Sequence, residues 1–146
     1  MTDHQLLALA AEASKKAYSR YSGFSVGAAL LAKDGSVYTG CNIENGSYSL
    51  TICAERTAIF KAVSEGGTEF EAIAIVGGSG GDTSQPCPPC GACLQVMSEF
   101  CGGSFRIILT DGAHTLDELM PRRFGSFIID KSTITYHTKT QFNMTD

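Results

Sequence analysis

Three cysteines and one glutamate constrain this chain more than any other feature of its sequence. Cys53-Ala54-Glu55 is followed, much later in the chain, by Pro89-Cys90-Gly91-Ala92-Cys93. Three thiolates can hold one zinc ion and leave its fourth tetrahedral position open for water. The fold must therefore bring Cys53 close to the pair formed by Cys90 and Cys93, with Glu55 beside them.

The order of these residues is typical of zinc-dependent deaminases, in which a glutamate near the first ligand moves protons without binding the metal. In that interpretation Glu55 takes a proton from water and returns protons to the ring nitrogen and to the departing amine. A pKa raised by a partly apolar pocket would suit this role. Without Cys53 beside it, Glu55 would be interpreted as a first-turn acid that interacts favourably with the helix dipole.

Two other functions of the cysteines stay open at this stage. A Cys-x-x-Cys pair can be a redox motif, although such a motif does not need Cys53 or Glu55. A closed structural zinc site would need a fourth ligand, for which Cys41, Cys87, Cys101 and three histidines are candidates. Glu55 has no role in a closed site, so the open, catalytic site is preferred.

The overall composition indicates one globular domain of 146 residues. The net charge is −4 and no basic run is present, which argues against a nucleic-acid partner. No apolar stretch approaches the roughly 20 residues that cross a membrane, and the N-terminus has no secretory pattern, so no membrane partner is expected. Six cysteines without such a pattern indicate a reducing compartment, and a cytoplasmic location is predicted.

The hydrophobic patterns predict alternating helices and strands. A first helix is predicted over 3–20, where Thr2-x-x-Gln5 resembles a capping box. Asp34-Gly35 between two apolar runs predicts a β-hairpin of strands 26–32 and 37–42. The other helices are expected over 53–64, 90–100 and from 115 to about 121, the other strands over 70–76, 105–110, 127–129 and 133–138, and a loop over 77–85.

Both cysteine clusters fall where helices are predicted to begin. Thr51 can cap the helix that starts near Cys53, and Pro89 stands just before the third helix. The alternation predicts a mixed sheet with helices packed on it, and the usual handedness of the connections places the second and third helices on one face. Two helix N-termini would then stabilise the thiolates. Arg56 is predicted to donate hydrogen bonds to a ligand sulfur, unless it is an ordinary surface arginine.

Several further motifs identify a family that the chain resembles. They are Tyr21-Ser22 with Phe24, Val26-Gly27-Ala28-Ala29-Leu30, Gly40-Cys41-Asn42-Ile43-Glu44-Asn45, Cys53-Ala54-Glu55-Arg56-Thr57-Ala58, the segment 89–93, and Leu119-Met120-Pro121 before Phe124-Gly125. Over about residues 5–130 the chain resembles the small homotetrameric cytidine deaminases whose zinc ligands are all cysteines. The resemblance implies a single α/β domain of three layers, with a mixed five-stranded sheet and helices on both faces. Residues 1–130 would form the catalytic domain and residues 131–146 a C-terminal tail.

The resemblance also implies the reaction and its cofactor. One zinc ion per chain, held by Cys53, Cys90 and Cys93, would support hydrolytic deamination of cytidine and 2′-deoxycytidine. The products would be uridine or 2′-deoxyuridine and ammonia, and the reaction belongs to pyrimidine salvage. The enzyme would be a homotetramer whose active sites are shared between subunits.

Individual substrate contacts follow from the same resemblance. Asn42 and Glu44 would bind the ribose 3′-hydroxyl, because an amide and a carboxylate can hold a hydroxyl as donor and acceptor. The other contacts would be Phe24 against the pyrimidine, backbone groups near Ala54 at the base edge, and Tyr48 and Phe124 in a neighbouring subunit's pocket. Without the family, Phe24 would be interpreted as a core aromatic residue and Asn42 as a turn residue.

The chain departs from the family pattern at three places. Leu94 stands where the family usually has an arginine, so less positive charge is expected near the thiolates. Cys87 could compete for metal, but an inert loop residue is expected there. The tail from about 131 is not matched by the family pattern, although residues 133–138 alternate like an edge strand.

Three competing hypotheses about function remain. The first is a related deaminase that acts on another cytosine nucleoside, such as a peptidyl-nucleoside antibiotic. The second is a polynucleotide-editing deaminase, which the negative charge disfavours. The third is a zinc-stabilised scaffold without catalytic activity, which ammonia release from cytidine would exclude.

Overall fold

The structure is a computed structural model in which residues 1–125 are described. Its helices are α1 (Asp3–Ser14), α2 (Ala54–Ser64), α3 (Gly91–Phe100) and α4 (Leu116–Leu119). Its strands are β1 (Phe24–Ala32), β2 (Val37–Cys41), β3 (Phe70–Ser79), β4 (Arg106–Leu109) and β5 (Gly112–Thr115), and a 3-10 turn spans Tyr48–Leu50. None of the helices within these residues is long and apolar enough to span a membrane.

The five strands form one mixed sheet in the order β2-β1-β3-β4-β5. β1 is antiparallel to both β2 and β3, and β4 is antiparallel to β5. β3 and β4 are parallel, and α3 lies in the connection between them. The predicted mixed five-stranded α/β fold is therefore confirmed.

Helices cover both faces of this sheet. On one face α1 places Leu6 and Ala10 against Ala29, Ala74 and Val76 of the central strands. On the other face α2 and α3 share a larger core with the sheet, whose fully buried members include Ile59, Met97, Leu30, Ile73 and Ile107. The predicted placement of α2 and α3 on one face is correct, and it brings their N-termini together.

The first helix begins as predicted but ends earlier. The Thr2 hydroxyl accepts a hydrogen bond from the Gln5 backbone N–H at 3.1 Å, and the Gln5 side chain accepts one from the Thr2 N–H at 2.9 Å. The helix stops at Ser14 rather than near residue 20. Tyr18 instead bonds to the segment after β2, through Asn42 O at 3.0 Å and Glu44 N at 2.8 Å. Pairing with a distant segment thus overrides the local helical spacing.

Three other local predictions need correction. Cys53, not Thr51, is the N-cap of α2, and the Thr51 hydroxyl accepts a hydrogen bond from Asn45 N instead. β3 continues to Ser79, into the predicted loop 77–85. The fifth strand is β5, in a segment without a strand pattern, where the chain turns back along β4. The strands predicted over 127–129 and 133–138 and the tail lie outside the described residues.

Gly40 of β2 determines how closely α2 approaches the sheet. A Cβ atom on Gly40 would lie 2.5 Å from Ala58 N and 2.6 Å from Ala54 O, which are backbone atoms of α2. Only glycine lets the helix backbone come this close. The N-terminus of α2, with Cys53 and Glu55, is consequently held directly against β2.

Candidate active site

The three predicted zinc ligands lie together at the N-termini of two neighbouring helices. Cys53 is the N-cap of α2 and Cys90 is the N-cap of α3, and neither thiol caps its helix by a hydrogen bond. Cys93 lies in the first turn of α3 and is completely buried. The sulfur atoms of the three residues all lie within 4.8 Å of one another.

The spacing of these sulfur atoms fits a zinc ion. Two ligands about 2.3 Å from a tetrahedral zinc lie about 3.8 Å apart, and the sulfurs of Cys53 and Cys90 are 3.8 Å apart. All six cysteines of the chain are free thiols, so no disulfide competes for these atoms. Within the described part of the chain, no histidine, carboxylate or further cysteine joins the cluster. A three-ligand set of this kind is typical of a catalytic site with an open position.

A neighbouring thiol and a positive charge stabilise the Cys53 thiolate. The pKa of Cys53 is lowered to about 5, first by a hydrogen bond from the Cys93 thiol and then by Arg56. The Arg56 Nη2 atom donates to the Cys53 sulfur at 3.3 Å. The pKa of Cys93 is raised, because its thiol donates the hydrogen bond to the Cys53 sulfur and because it is buried. Leu94, at the position of the usual arginine, is buried in the core and contributes no charge.

Glu55 lies in the first turn of α2, immediately beside the thiols. The residue is only 4% exposed. Burial raises the pKa of its carboxyl group above the ordinary value, and the neighbouring Cys53 thiolate raises it further. A carboxyl group in such surroundings can exchange protons near neutral pH, as a general acid–base catalyst must.

Cys53, Cys90 and Glu55, but not the buried Cys93, line a cavity of about 340 Å³. It brings seven of the predicted site residues together: Phe24, Asn42, Glu44, Cys53, Ala54, Glu55 and Cys90. The other lining residues are Ser22, Val26, Thr51, Ile52, Cys87 and Pro88. Two of the clustered thiols, the Glu55 carboxyl group and the polar side chains of Asn42 and Glu44 therefore line one cavity.

Asn42 follows β2 directly, and its side chain bonds to the backbone of β1. Its Oδ1 accepts a hydrogen bond from Val26 N at 2.8 Å, and its Nδ2 donates to Phe24 O at 2.9 Å. One amide N–H and one oxygen lone pair remain for another partner. The bonds to β1 hold the Asn42 amide in a fixed orientation at the wall of the cavity.

Glu44 is held in place by the turn that precedes β1. Its Oε1 accepts hydrogen bonds from Tyr21 N at 2.9 Å and Ser22 N at 3.1 Å, and its Oε2 accepts one from the Ser22 hydroxyl. The bonds from Ser22 lower the pKa of the Glu44 carboxyl group, with a smaller contribution from Tyr21. The carboxylate stays ionised at neutral pH and keeps acceptor capacity for a sugar hydroxyl.

Tyr48 and Phe124 do not line this cavity. Tyr48 lies in the 3-10 turn, is 75% exposed and contacts a neighbouring surface cavity with Tyr21, Glu44 and Asn45. Phe124 is 60% exposed, and its backbone oxygen accepts a hydrogen bond from the Gln95 side chain at 3.3 Å. Both residues are thus exposed on the surface of the chain.

Two residues of the cavity were missed or misjudged from the sequence. Ser22 holds Glu44 across 22 positions of the chain, and no local signal indicates this bond. Cys87 lies in a loop, as expected, but it is also half-buried and lines the cavity, which was missed from the sequence. Its position three residues before Cys90 was the available signal. Cys87 is outside the three-sulfur cluster.

Comparison with known proteins agrees with this geometry. The family described as the cytidine and deoxycytidylate deaminase zinc-binding region matches residues 1–108 of the chain. The chain belongs to this family. The match covers Cys53, Glu55, Cys90 and Cys93, and the cluster of three cysteines could hold the zinc ion of such a region.

Individual relatives have the same size and fold. A cytidine deaminase of Sporosarcina psychrophila is 47% identical over 136 residues, which is 93% of this chain and 97% of the relative. The crystal structure of cytidine deaminase from Burkholderia pseudomallei superposes with a TM-score of 0.77 at 46% identity, covering 85% of this chain and 100% of that one. A blasticidin-S deaminase of Bacillus cereus is 32% identical over 106 residues, or 68% of this chain and 76% of the relative.

Proposed function

We propose that the chain catalyses the hydrolytic deamination of cytidine and 2′-deoxycytidine to uridine and 2′-deoxyuridine, with release of ammonia. The observation that carries this proposal is the cavity itself. In about 340 Å³ it combines two of the proposed zinc ligands, Cys53 and Cys90, and the buried Glu55 with Asn42 and Glu44. That volume suits a small nucleoside.

The residues around the metal have separate roles in this reaction. Bound zinc supplies a Lewis acid that makes water a nucleophile near neutral pH. Glu55 accepts a proton from the attacking water and delivers it to N3 of the ring. It then accepts the proton of the hydroxyl group newly bonded to C4 and transfers it to the amino group, which leaves as ammonia while C4 becomes a carbonyl. The Arg56 guanidinium and the N-termini of α2 and α3 offset the negative charge of three thiolates.

The polar groups at the other end of the cavity would bind the sugar. The remaining amide N–H of Asn42 and the ionised Glu44 carboxylate can share one ribose hydroxyl between a donor and an acceptor. Phe24 lines the same cavity and offers an apolar ring to the pyrimidine, and backbone groups at Ala54 are available to the base edge.

The exposed aromatic rings support a site that is completed by other subunits. Tyr48 and Phe124 are exposed and do not line the cavity of their own chain, which favours contact with a neighbouring subunit's pocket over a role in the core. We infer a homotetramer with shared sites on this basis. Six free thiols are also consistent with the reducing conditions of the cytoplasm.

A second candidate is a deaminase that prefers a larger cytosine nucleoside. The similarity to a blasticidin-S deaminase favours this candidate. The longer and closer match to a cytidine deaminase favours plain nucleosides. Comparing kcat/KM for cytidine and for blasticidin S separates the two.

The test of the main proposal is an ultraviolet assay of cytidine loss combined with measurement of ammonia. Wild-type protein should release one ammonia per cytidine, and a zinc chelator should abolish the reaction. Glu55→Gln should keep its zinc and fold but lose about 10²–10⁴-fold in kcat, because glutamine cannot shuttle protons. Near-normal kcat in a zinc-loaded Glu55→Gln variant would contradict the role of Glu55. No ammonia from wild-type protein would contradict the function.

A further inference from the structure

The geometry points to Cys87 as a specificity-determining residue. The size of its side chain determines how much space the cavity has beside the C5–C6 edge of a bound cytosine ring. This inference rests on the proposed function. It adds a residue that is neither a metal ligand nor a sugar contact.

Cys87 packs over a glycine of the central sheet. A Cβ atom on Gly77 of β3 would lie 2.8 Å from Cys87 Sγ, 3.0 Å from Val26 Cγ2 and 3.1 Å from Phe24 Cε1. Val26 is the partner of Gly77 across β1 and β3. These three side chains therefore converge on the space that a side chain at position 77 would otherwise fill.

Phe24, Val26 and Cys87 together form an apolar wall of the cavity. Burial, with smaller effects of the nearby Glu55 and Cys53, raises the pKa of the Cys87 thiol to about 11. The thiol is therefore neutral at pH 7 and only a weak hydrogen-bond donor. The wall therefore acts on a bound ligand through its shape and not through hydrogen bonds.

The chemistry of cytosine indicates which part of the ring suits this wall. In the proposed reaction C4 faces the metal ligands, N3 faces Glu55, and the sugar on N1 faces Asn42 and Glu44. The C2 carbonyl lies between N1 and N3 and would be read by backbone groups at Ala54. C5 and C6 remain, and they carry only hydrogen atoms. An apolar wall matches this edge, since it leaves no polar group unpaired.

Changing the size of residue 87 should therefore change discrimination at C5. One methylene group in an apolar pocket changes the ratio of kcat/KM between two substrates by about 10–200-fold. Cys87→Ala removes the sulfur and enlarges the cavity, whereas Cys87→Val adds a branch and narrows it. The matched comparison is kcat/KM for 5-methylcytidine divided by kcat/KM for cytidine in each variant.

We expect this ratio to be at least about tenfold higher in Cys87→Ala than in Cys87→Val. Cys87→Ser has a side chain of nearly the same size and should keep the wild-type ratio within about threefold.

The matched control is Cys41→Ala. Cys41 follows Gly40 in β2, so its side chain lies on the opposite face of the sheet. Equal ratios in the alanine and valine variants, both folded and zinc-loaded, would overturn the inference. Wild-type protein that leaves cytidine unchanged would instead overturn the proposed function, and the inference with it.

A double variant tests the contact with Gly77 independently. Gly77→Ala alone should push the wall into the cavity and lower kcat/KM for cytidine. Adding Cys87→Ala removes the closest clashing atom. The double variant should therefore have a kcat/KM for cytidine at least about tenfold higher than that of Gly77→Ala alone. If the double variant instead lost the sum of the transition-state free energies lost by the two single variants, the proposed packing between residues 77 and 87 would be contradicted.

Discussion

Replacing Gly40 by alanine should damage both stability and catalysis, because Gly40 controls the position of α2. Ordinary van der Waals contact begins near 3.4 Å, whereas the new Cβ would lie 2.5 Å from Ala58 N. The helix and β2 must therefore separate locally by about 0.9 Å. Overpacking of this kind costs about 1–3 kcal/mol in the free energy of unfolding. For a chain of this size that is roughly 4–12 °C in Tm.

The effect on catalysis follows from what the helix carries. Cys53 and Glu55 stand at the N-terminus of α2, and a displacement of about 1 Å can reduce an enzyme's rate about 10²-fold. The assay compares Tm, zinc content and kcat/KM for cytidine in Gly40→Ala and in the control Gly102→Ala. A Cβ at Gly102 meets no atom within 4 Å, so the control should resemble wild type. A Gly40→Ala variant with wild-type Tm and kcat/KM would refute the close-packing argument.

Three further predictions concern the metal, the sugar and the subunits. Cys90→Ala should lose most of its bound zinc by elemental analysis, because two thiolates remain, and full occupancy would contradict the ligand assignment. Glu44→Ala should lower kcat/KM for cytidine but hardly change the slow reaction of free cytosine, which has no sugar. Comparable kcat/KM values of the wild-type protein for cytidine and cytosine would argue against a nucleoside site. Mixing Glu55→Gln with Phe124→Ala subunits under exchange conditions should restore partial activity, and light scattering should give about four chains per particle; a fully active monomer would exclude shared sites.

The parts of the site that depend on short motifs could be predicted from the sequence. Cys53 and Glu55 share one helical turn, and Cys90 and Cys93 share another, so local spacing determines each half of the site. The meeting of the two halves follows from the handedness of the connections, which places α2 and α3 on one face. The Asp34-Gly35 turn likewise predicts the hairpin, where Gly35 has φ of +92°.

The parts that depend on contacts with another segment of the chain could not be predicted. The end of α1 depends on the pairing of Tyr18 with residues after β2, which local spacing does not encode. β5 has no strand pattern and exists because it returns along β4. Cys87 enters the cavity because residue 77 of β3 has no side chain. In each case the deciding partner lies outside the segment whose own residue pattern was interpreted.

The two hydrogen bonds of the Asn42 side chain have a consequence for how this enzyme can evolve. A primary amide carries a donor and an acceptor, as a peptide group does, and here it continues the ladder along β1 past the end of β2. Aspartate would place a second acceptor against Phe24 O and lose this pairing, while leucine would lose both bonds. In the proposed reaction the same amide also binds the sugar. Mutations that retune sugar preference at position 42 therefore weaken the sheet as well, so new nucleoside preferences are more accessible through neighbouring positions of the cavity.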